Sequence, residues 1–326
     1  MQMKTNVLVA LADSKFLSQA KQLFSTVYWN SGWQGDYLLL AYDTPEEKLS
    51  WFREKGIIIK HCAPVDCGSE RFGDKICSCK YYMFTEFFKQ WDNVVYLDVD
   101  IVTKGPIENL TKIDSFSACH SLGQTIKDNI IAETPVQKEL LNKLAIKYDL
   151  NKKAFNAGVM SFPTSVIHKD MFDEVLEEIR KHVKIARFGG DQLAINLYFY
   201  DRWKELLPIY NQIAPLGDTK LDKNLCKGLV IHCVCLGNGP WDKSSVFYNE
   251  WKQNFDKADS IDLKNIPKIA EFSEKEIKEK CKSVVSLYLV GGKMNLQTMF
   301  KFLFKAFILA ISNPQILFNK LKNFRK

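Results

Sequence analysis

Residues 93–102 read NVVYLDVDIV, an apolar, β-favouring run from Asn93 to Leu97 that stops at Asp98-Val99-Asp100. Valine and tyrosine in a short continuous run suit a strand buried on both faces. Two aspartates one residue apart project to the same side of an extended backbone, so both carboxylates reach one point beyond the strand. Paired hard oxygen donors at such a point suit a divalent cation, Mg²⁺ or Mn²⁺, and an added imidazole would favour Mn²⁺. A chain this rich in aspartate is expected to hold roughly one D-x-D by chance, so the position after a buried strand matters more than the triplet itself.

The same kind of strand recurs on either side. Asn6 to Ala12 (NVLVALA) reads as a strand, and Lys15 to Tyr28 has helical spacing through Phe16, Ala20, Leu23 and Val27. Asp36 to Tyr42 (DYLLLAY) and Gly56 to Lys60 are further strands, separated by a helix opened by Thr44-Pro45-Glu46-Glu47, where Thr44 and Glu47 have the form of a capping box. A Gly- and Cys-containing loop over Cys62 to Lys75 leads to an aromatic helix over Lys80 to Gln90. Beyond the aspartates, strands are expected at Phe116 to Cys119, Gly158 to Phe162 and Leu229 to Ile231, with helices near Val136 to Tyr148, Lys169 to Lys184 and Asp191 to Tyr200. Alternation of this kind predicts an α/β fold with a mixed, mostly parallel sheet covered by helices on both faces. Ligands of such sheets collect at the carboxyl ends of strands, where Asp98, Asp100 and His232 all fall.

Composition narrows the class. Of 326 residues, 46% are hydrophobic and 25% charged, which allows a large core and excludes wholesale disorder. The net charge of +7 is unevenly placed: nine basic and no acidic residues follow Glu279, which leaves the preceding chain slightly acidic. A basic tail suits an anionic surface, whereas a nucleic-acid enzyme would carry its charge around the cleft, so no nucleic-acid partner is expected. The nine cysteines are scattered, and the pairs Cys77/Cys79 and Cys233/Cys235 lack the spacing of a zinc knuckle, so reduced thiols in a cytosol-facing protein are expected. The N-terminus has no signal-peptide pattern.

Four motifs stand in order: YLDVDIV at 96–102, FNAGVMSF at 155–162, GGDQLAIN at 189–196 and IHCVCLGNGPW at 231–241. Together, over about residues 6 to 251, they resemble glycosyltransferase family 8, the retaining enzymes that include glycogenin and the bacterial lipopolysaccharide galactosyl- and glucosyltransferases. The resemblance implies a GT-A fold (the Rossmann-like nucleotide-diphospho-sugar transferase architecture), a UDP-sugar donor, and Mn²⁺, or Mg²⁺ in its place, bound by Asp98, Asp100 and His232. By the same resemblance Asn156 and Ala157 lie near the donor sugar, and Asp191 grips sugar hydroxyls, a role compatible with capping the helix after Gly189-Gly190. Gln192 is expected to face the anomeric carbon opposite the leaving group. Ala10, Ala12 and Asp13, at the end of the first strand, are expected around the uridine. Lys80 stands where many members carry a cation for the diphosphate or sugar; read without the family it is an exposed helical lysine.

One departure is plain. The family usually reads H-x-x-G-x-x-K-P-W, whereas here the stretch from His232 through Gly237 to Trp241 is one residue longer and places Gly239 where the phosphate-binding lysine belongs. Lys243, two residues past Trp241, or the backbone N–H groups of the loop would have to serve instead. Because Gln192 is a neutral amide and a poor nucleophile, a same-face, oxocarbenium-like transfer is expected rather than a covalent intermediate.

Residues 296–324 (LQTMFKFLFKAFILAISNPQILFNKLKNF) are apolar and interrupted by lysines, and the longest charge-free stretch, Ala306 to Asn319, is too short to span a bilayer. The expected arrangement is a catalytic domain over 1–255 and a helical, basic extension over 256–326, with the charge-rich segment Lys275 to Lys282 as a divider. The extension would hold the protein to the cytoplasmic face of an anionic membrane, near a glycan or glycolipid acceptor; packing on the body or on a second copy is its plainer reading. The donated hexose is glucose, galactose or N-acetylglucosamine, which sequence does not separate. Two rival readings are a sugar nucleotidyltransferase, which would want a glycine-rich basic loop absent from Ala10 to Lys15, and a catalytically silent nucleotide-sugar-binding or membrane scaffold protein.

Overall fold

The computed structural model describes residues 5–214, 223–234 and 239–286. Its main sheet is built from β1 (Asn6–Asp13), β2 (Asp36–Tyr42), β3 (Ile58–Cys62), β4 (Asn93–Leu97), β6 (Ser117–Thr125), β7 (Lys153–Pro163) and β8 (Lys204–Glu205) in the order β3-β2-β1-β4-β7-β6-β8. Strands β3, β2, β1 and β4 run parallel, β7 is antiparallel to both its neighbours, and β8 runs parallel to β6. A second sheet in the order β5-β10-β9 joins β5 (Ile101–Thr103), β10 (Val230–His232) and β9 (Gln212–Ile213).

Both faces of β1 are buried, as its unbroken apolar run requires. Val7, Val9 and Leu11 face a core shared with Phe84, Phe116, Phe155 and Phe162, while Leu8, Ala10 and Ala12 face Leu23, Phe24, Leu39 and Val95. The first core contains a cluster of aromatic rings, in which Phe116 stacks on Phe199 at 3.8 Å between ring centroids. Truncating such a ring to alanine costs about 3–5 kcal/mol. The covering helices are α1 (Leu17–Thr26), α2 (Ser50–Glu54), α3 (Phe72–Ser78), α4 (Pro135–Lys147), α5 (Met171–His182), α6 (Gly190–Tyr198) and α7 (Tyr248–Lys257), followed by α8 over residues 274–286.

Several local expectations are corrected. Thr44 caps nothing: its hydroxyl donates to the Tyr42 carbonyl, and an extended Pro45 delays the first turn to Glu46–Lys48. The segment expected as one aromatic helix is two 3-10 turns, Cys79–Phe84 and Glu86–Gln90, separated by an extended Thr85. Its tight winding buries Lys80, Tyr81, Met83 and Phe84 together, which one face of an α-helix would not do. The regular helix comes earlier, as α3, in part of the stretch expected as a loop. Lys275 to Lys282 is no divider: it lies within α8, whose Ile277, Cys281 and Val284 pack into the second core. Residues just before α8 also dock on the body, through Tyr28 Oη donating to the Asn265 carbonyl (2.8 Å) and Lys21 pairing with Asp259 (2.8 Å). The basic, apolar stretch from Leu296 lies outside the described residues. Among those described, no helix is long and apolar enough to cross a membrane, and Cys62, Cys67, Cys77, Cys79, Cys119 and Cys281 are free thiols.

Candidate active site

Strand β4 ends at Leu97, and the chain turns through Asp98 to Asp100 into β5, so the two carboxylates occupy the junction between the sheets. Antiparallel pairing of β10 with β5 sets His232 opposite Ile101. That register brings in a residue 131 positions away: His232 Nε2 lies 3.1 Å from Asp100 Oδ1 and 3.8 Å from Asp98 Oδ2. Asp98, Asp100 and His232 each offer one ligand atom within 4.8 Å of the others. Backbone bonds fix the frame, with Asp98 N–H donating to the Gly158 carbonyl (2.9 Å) and Cys233 N–H to the Asp100 carbonyl (3.0 Å).

The donor set suits a divalent cation. His232 is buried, and its Nδ1 is engaged by Asn211 Oδ1 at 3.0 Å, which leaves Nε2 directed at the carboxylates. Burial alone would push the imidazole pKa down, but the charge and hydrogen bond of Asp100, with Asp98 behind it, outweigh burial and raise it. Metal binding requires the neutral ring, with the Nε2 lone pair free for the cation. Gly158 makes room for the cluster: a Cβ there would sit 2.1 Å from His232 Cε1 and 2.8 Å from Asp98 Oδ2.

Next to the triad lies a buried ion pair. Lys80, 3% exposed, places Nζ 2.9 Å from Asp191 Oδ2 and 3.5 Å from Asp98 Oδ1, over the Tyr96 ring. Burial opposes its charge, yet Asp191 and Asp98 hold its pKa well above the ordinary lysine range. Lys80 is therefore not the exposed helical lysine of its plainer reading. Tyr96 Oη donates to Asp98 Oδ1 at 2.6 Å, and Tyr81 Oη donates to the Asp191 carbonyl at 2.5 Å. Formally, three aspartates face one lysine and one imidazole, an excess of negative charge that a divalent ion offsets.

Helix α6 presents Asp191 and Gln192 from its first turn. The capping position is Gly189, with a φ of 121° that favours glycine, so Asp191 is not the cap expected from sequence. Asp74, clamped by Arg71 Nε at 2.7 Å, accepts from Gly190 N–H at 3.2 Å and ties down that helix start. Gln192 Oε1 accepts from Asn156 Nδ2 (3.1 Å) and Ala157 N–H (3.4 Å), and Gln192 Nε2 donates to Asn129 Oδ1 (2.7 Å). The structure thus gathers Asp98, Asp100, His232, Lys80, Asp191, Gln192, Asn156 and Ala157 into one connected group.

Other expected residues stand differently. Ala10 and Ala12 are fully buried, their methyl groups in the second core, so they offer no free surface to a base. Asp13 is buried too, and its Oδ1 accepts from Lys15 and Phe16 N–H in its own turn. Val99 is half-buried between the two aspartates. Gly237 lies outside the described residues, and Lys243 is exposed beyond Trp241. The missing lysine has a steric counterpart: a Cβ on Gly239 would meet the Trp241 indole at 2.4 Å, and that indole is held edge-on to Phe16. Asn129 and Asn211 belong to no motif, and sequence reasoning passes over both.

The description "Glycosyl transferase family 8" matches residues 46–244, more than half of the chain and all four motifs, and begins after β1. The chain belongs to glycosyltransferase family 8. A curated relative, glycosyltransferase GlyF of Streptococcus pneumoniae serotype 4 (strain ATCC BAA-334 / TIGR4), is 25% identical over 218 residues, 64% of this chain and 49% of its own length. The chain thus spans about half of the curated relative it matches. Among solved structures, galactosyltransferase LgtC in complex with donor and acceptor sugar analogs superposes with a TM-score of 0.55 at 14% identity, covering 84% of this chain and 99% of LgtC. The WbbM bifunctional glycosyltransferase gives a TM-score of 0.56 at 16% identity, over 85% of this chain and 52% of WbbM. At these identities the likeness shows the shared GT-A fold.

Proposed function

We propose that the protein is a retaining glycosyltransferase that moves a hexose from a UDP-sugar to a glycan or glycolipid acceptor and depends on Mn²⁺. The observation that carries the reading is the adjacency of two sites: the Asp98-Asp100-His232 ligand set and the buried Lys80–Asp191 pair, which meet through Asp98. Asp98, Asp100 and His232 would hold the cation, which supplies charge neutralisation to a departing diphosphate. Asp191, paired with Lys80 at 2.9 Å, would accept from sugar hydroxyls. Gln192 is poorly placed to act as a nucleophile, because its oxygen already accepts from Asn156 and Ala157 and it carries no charge. This favours attack of the acceptor hydroxyl on the leaving-group face, with a phosphate oxygen taking the proton. With the position of the family lysine closed by Trp241, Lys243 or backbone N–H groups would share the phosphate charge.

The test is release of UDP from UDP-glucose, UDP-galactose and UDP-N-acetylglucosamine with and without Mn²⁺. Turnover of at least one donor, abolished by a chelator and by Asp100→Asn, is expected. Protein that binds UDP but neither hydrolyses nor transfers any UDP-sugar would refute the enzyme reading, and release of pyrophosphate would point to a nucleotidyltransferase.

A further inference from the structure

Five side chains from five segments form one continuous hydrogen-bonded line: Asn129, Gln192, Asn156, Asn211 and His232. Asn129 Nδ2 donates to the Thr125 carbonyl (3.2 Å) and Asn129 Oδ1 accepts from Gln192 Nε2 (2.7 Å). Gln192 Oε1 accepts from Asn156 Nδ2 (3.1 Å), and Asn156 Oδ1 accepts from Asn211 Nδ2 (2.9 Å). Asn211 Oδ1 then faces His232 Nδ1 at 3.0 Å.

The direction of this line is forced at two places by backbone groups that have only one role. The Thr125 carbonyl can only accept, so the nearer atom of Asn129 is its nitrogen; each amide then alternates in turn toward Asn156. Gly158 N–H can only donate, and it lies 2.9 Å from the atom of Asn156 that this alternation makes the oxygen. The two anchors agree. An amide has one donor end and one acceptor end, so Asn211, donating to Asn156, can present only its oxygen to His232. The ring atom it meets must therefore be Nδ1–H, and the lone pair of the neutral ring falls on Nε2, toward Asp98 and Asp100.

We infer that Asn211 is a positioning residue which, through this one-way amide line, fixes His232 as the Nδ1–H tautomer and so prepares Nε2 as a metal ligand. The same line fixes the Gln192 carboxamide from its other end, through Asn129, and so ties the ligand histidine to the residue expected to face the donor sugar. Side chains that hydrogen-bond the far nitrogen of a ligand histidine typically contribute about 10–100-fold in metal affinity. The metal part of this inference rests on the proposed Mn²⁺ site, whereas the tautomer does not.

The experiment uses full-length protein labelled with ¹⁵N-histidine and no added metal. Long-range ¹H–¹⁵N correlation, followed upward from about pH 9 until the ring signals show the neutral form, reports which nitrogen carries the proton, and His232→Gln assigns the signal. The Nδ1–H pattern is expected, and an Nε2–H pattern overturns the inference whatever the protein binds. Mn²⁺ titration then compares Asn211→Asp, which keeps an acceptor for Nδ1–H, with Asn211→Leu, which does not. Affinity is expected to fall at least about tenfold further in the leucine variant than in the aspartate variant. Equal losses in the two would mean that Asn211 acts by filling space and would overturn its positioning role. Wild-type protein showing the Nδ1–H pattern but no Mn²⁺ binding would leave the tautomer assignment standing and refute the metal site of the proposed function.

Discussion

Replacing Gly158 with alanine adds one methyl group, and the structure says where it goes. The new Cβ would lie 2.1 Å from His232 Cε1, 2.7 Å from His232 Nδ1 and 2.8 Å from Asp98 Oδ2. Carbon atoms rest at about 3.5 Å, so the ring would have to retreat by roughly 1.4 Å, or Gly158 move away by as much. Neither motion is free: Gly158 N–H is held by Asn156 and its carbonyl by Asp98 N–H. Metal–ligand distances tolerate deviations of only about 0.2 Å, so the displaced imidazole would be lost as a ligand. Mn²⁺ affinity is expected to drop by at least about 100-fold, at the upper end of the range for disturbing a ligand histidine. The overpacking itself costs about 1–3 kcal/mol, which leaves a domain of this size folded. Isothermal titration with Mn²⁺, paired with circular dichroism to confirm folding, reads the effect. Gly73→Ala is the control, since nothing lies within 4 Å of a Cβ there. A Gly158→Ala protein that is folded and binds Mn²⁺ within about twofold of wild type would refute the steric reasoning and, with it, the placement of His232 in the ligand set.

Lys80→Met removes the counter-charge of Asp191 in a buried pair, and such losses cost about 3–5 kcal/mol, measurable by urea denaturation. Glu108 is held above the ordinary carboxyl pKa by burial, with the nearby Glu271 adding to it and the Gln34 N–H opposing it. A raised folded-state pKa means that this group's stabilising contribution is complete below its unfolded pKa and is lost as pH rises through the folded one. Glu108→Gln, which imitates the protonated form, is therefore expected to raise the melting temperature at pH 8 and to leave it unchanged at low pH. The stretch from Leu296 is expected to carry the protein to anionic vesicles: full-length chain should float with phosphatidylglycerol liposomes and chain truncated after Ser286 should not, while equal flotation would remove the anchor. The cut belongs after Ser286 because α8 is part of the core.

Much of this site was legible before any coordinates. Asp98 and Asp100 announce themselves by ending an apolar strand, and His232, Asp191 and Gln192 by their motifs. Lys80 was visible as a position but not as a buried group, because a 3-10 turn rather than an α-helix aims it inward. Strands β5, β8 and β9, with two or three residues each, carry too few positions for any periodicity to show. Asn129 and Asn211 were not legible at all. A hydrogen-bonded line whose bonded pairs lie up to 63 positions apart leaves no spacing in the sequence, and lone asparagines are commonplace in turns. Gly239 is the reverse case, where the sequence showed a departure and the Trp241 ring above it gives the reason.

The most direct measurement is anomalous scattering at the manganese edge from a crystal grown with Mn²⁺ and UDP. A single strong peak is expected between the carboxylates of Asp98 and Asp100 and Nε2 of His232, with metal–ligand distances of about 2.0–2.3 Å. A manganese peak elsewhere in the cleft, or UDP bound with no manganese at these three residues, would contradict the account.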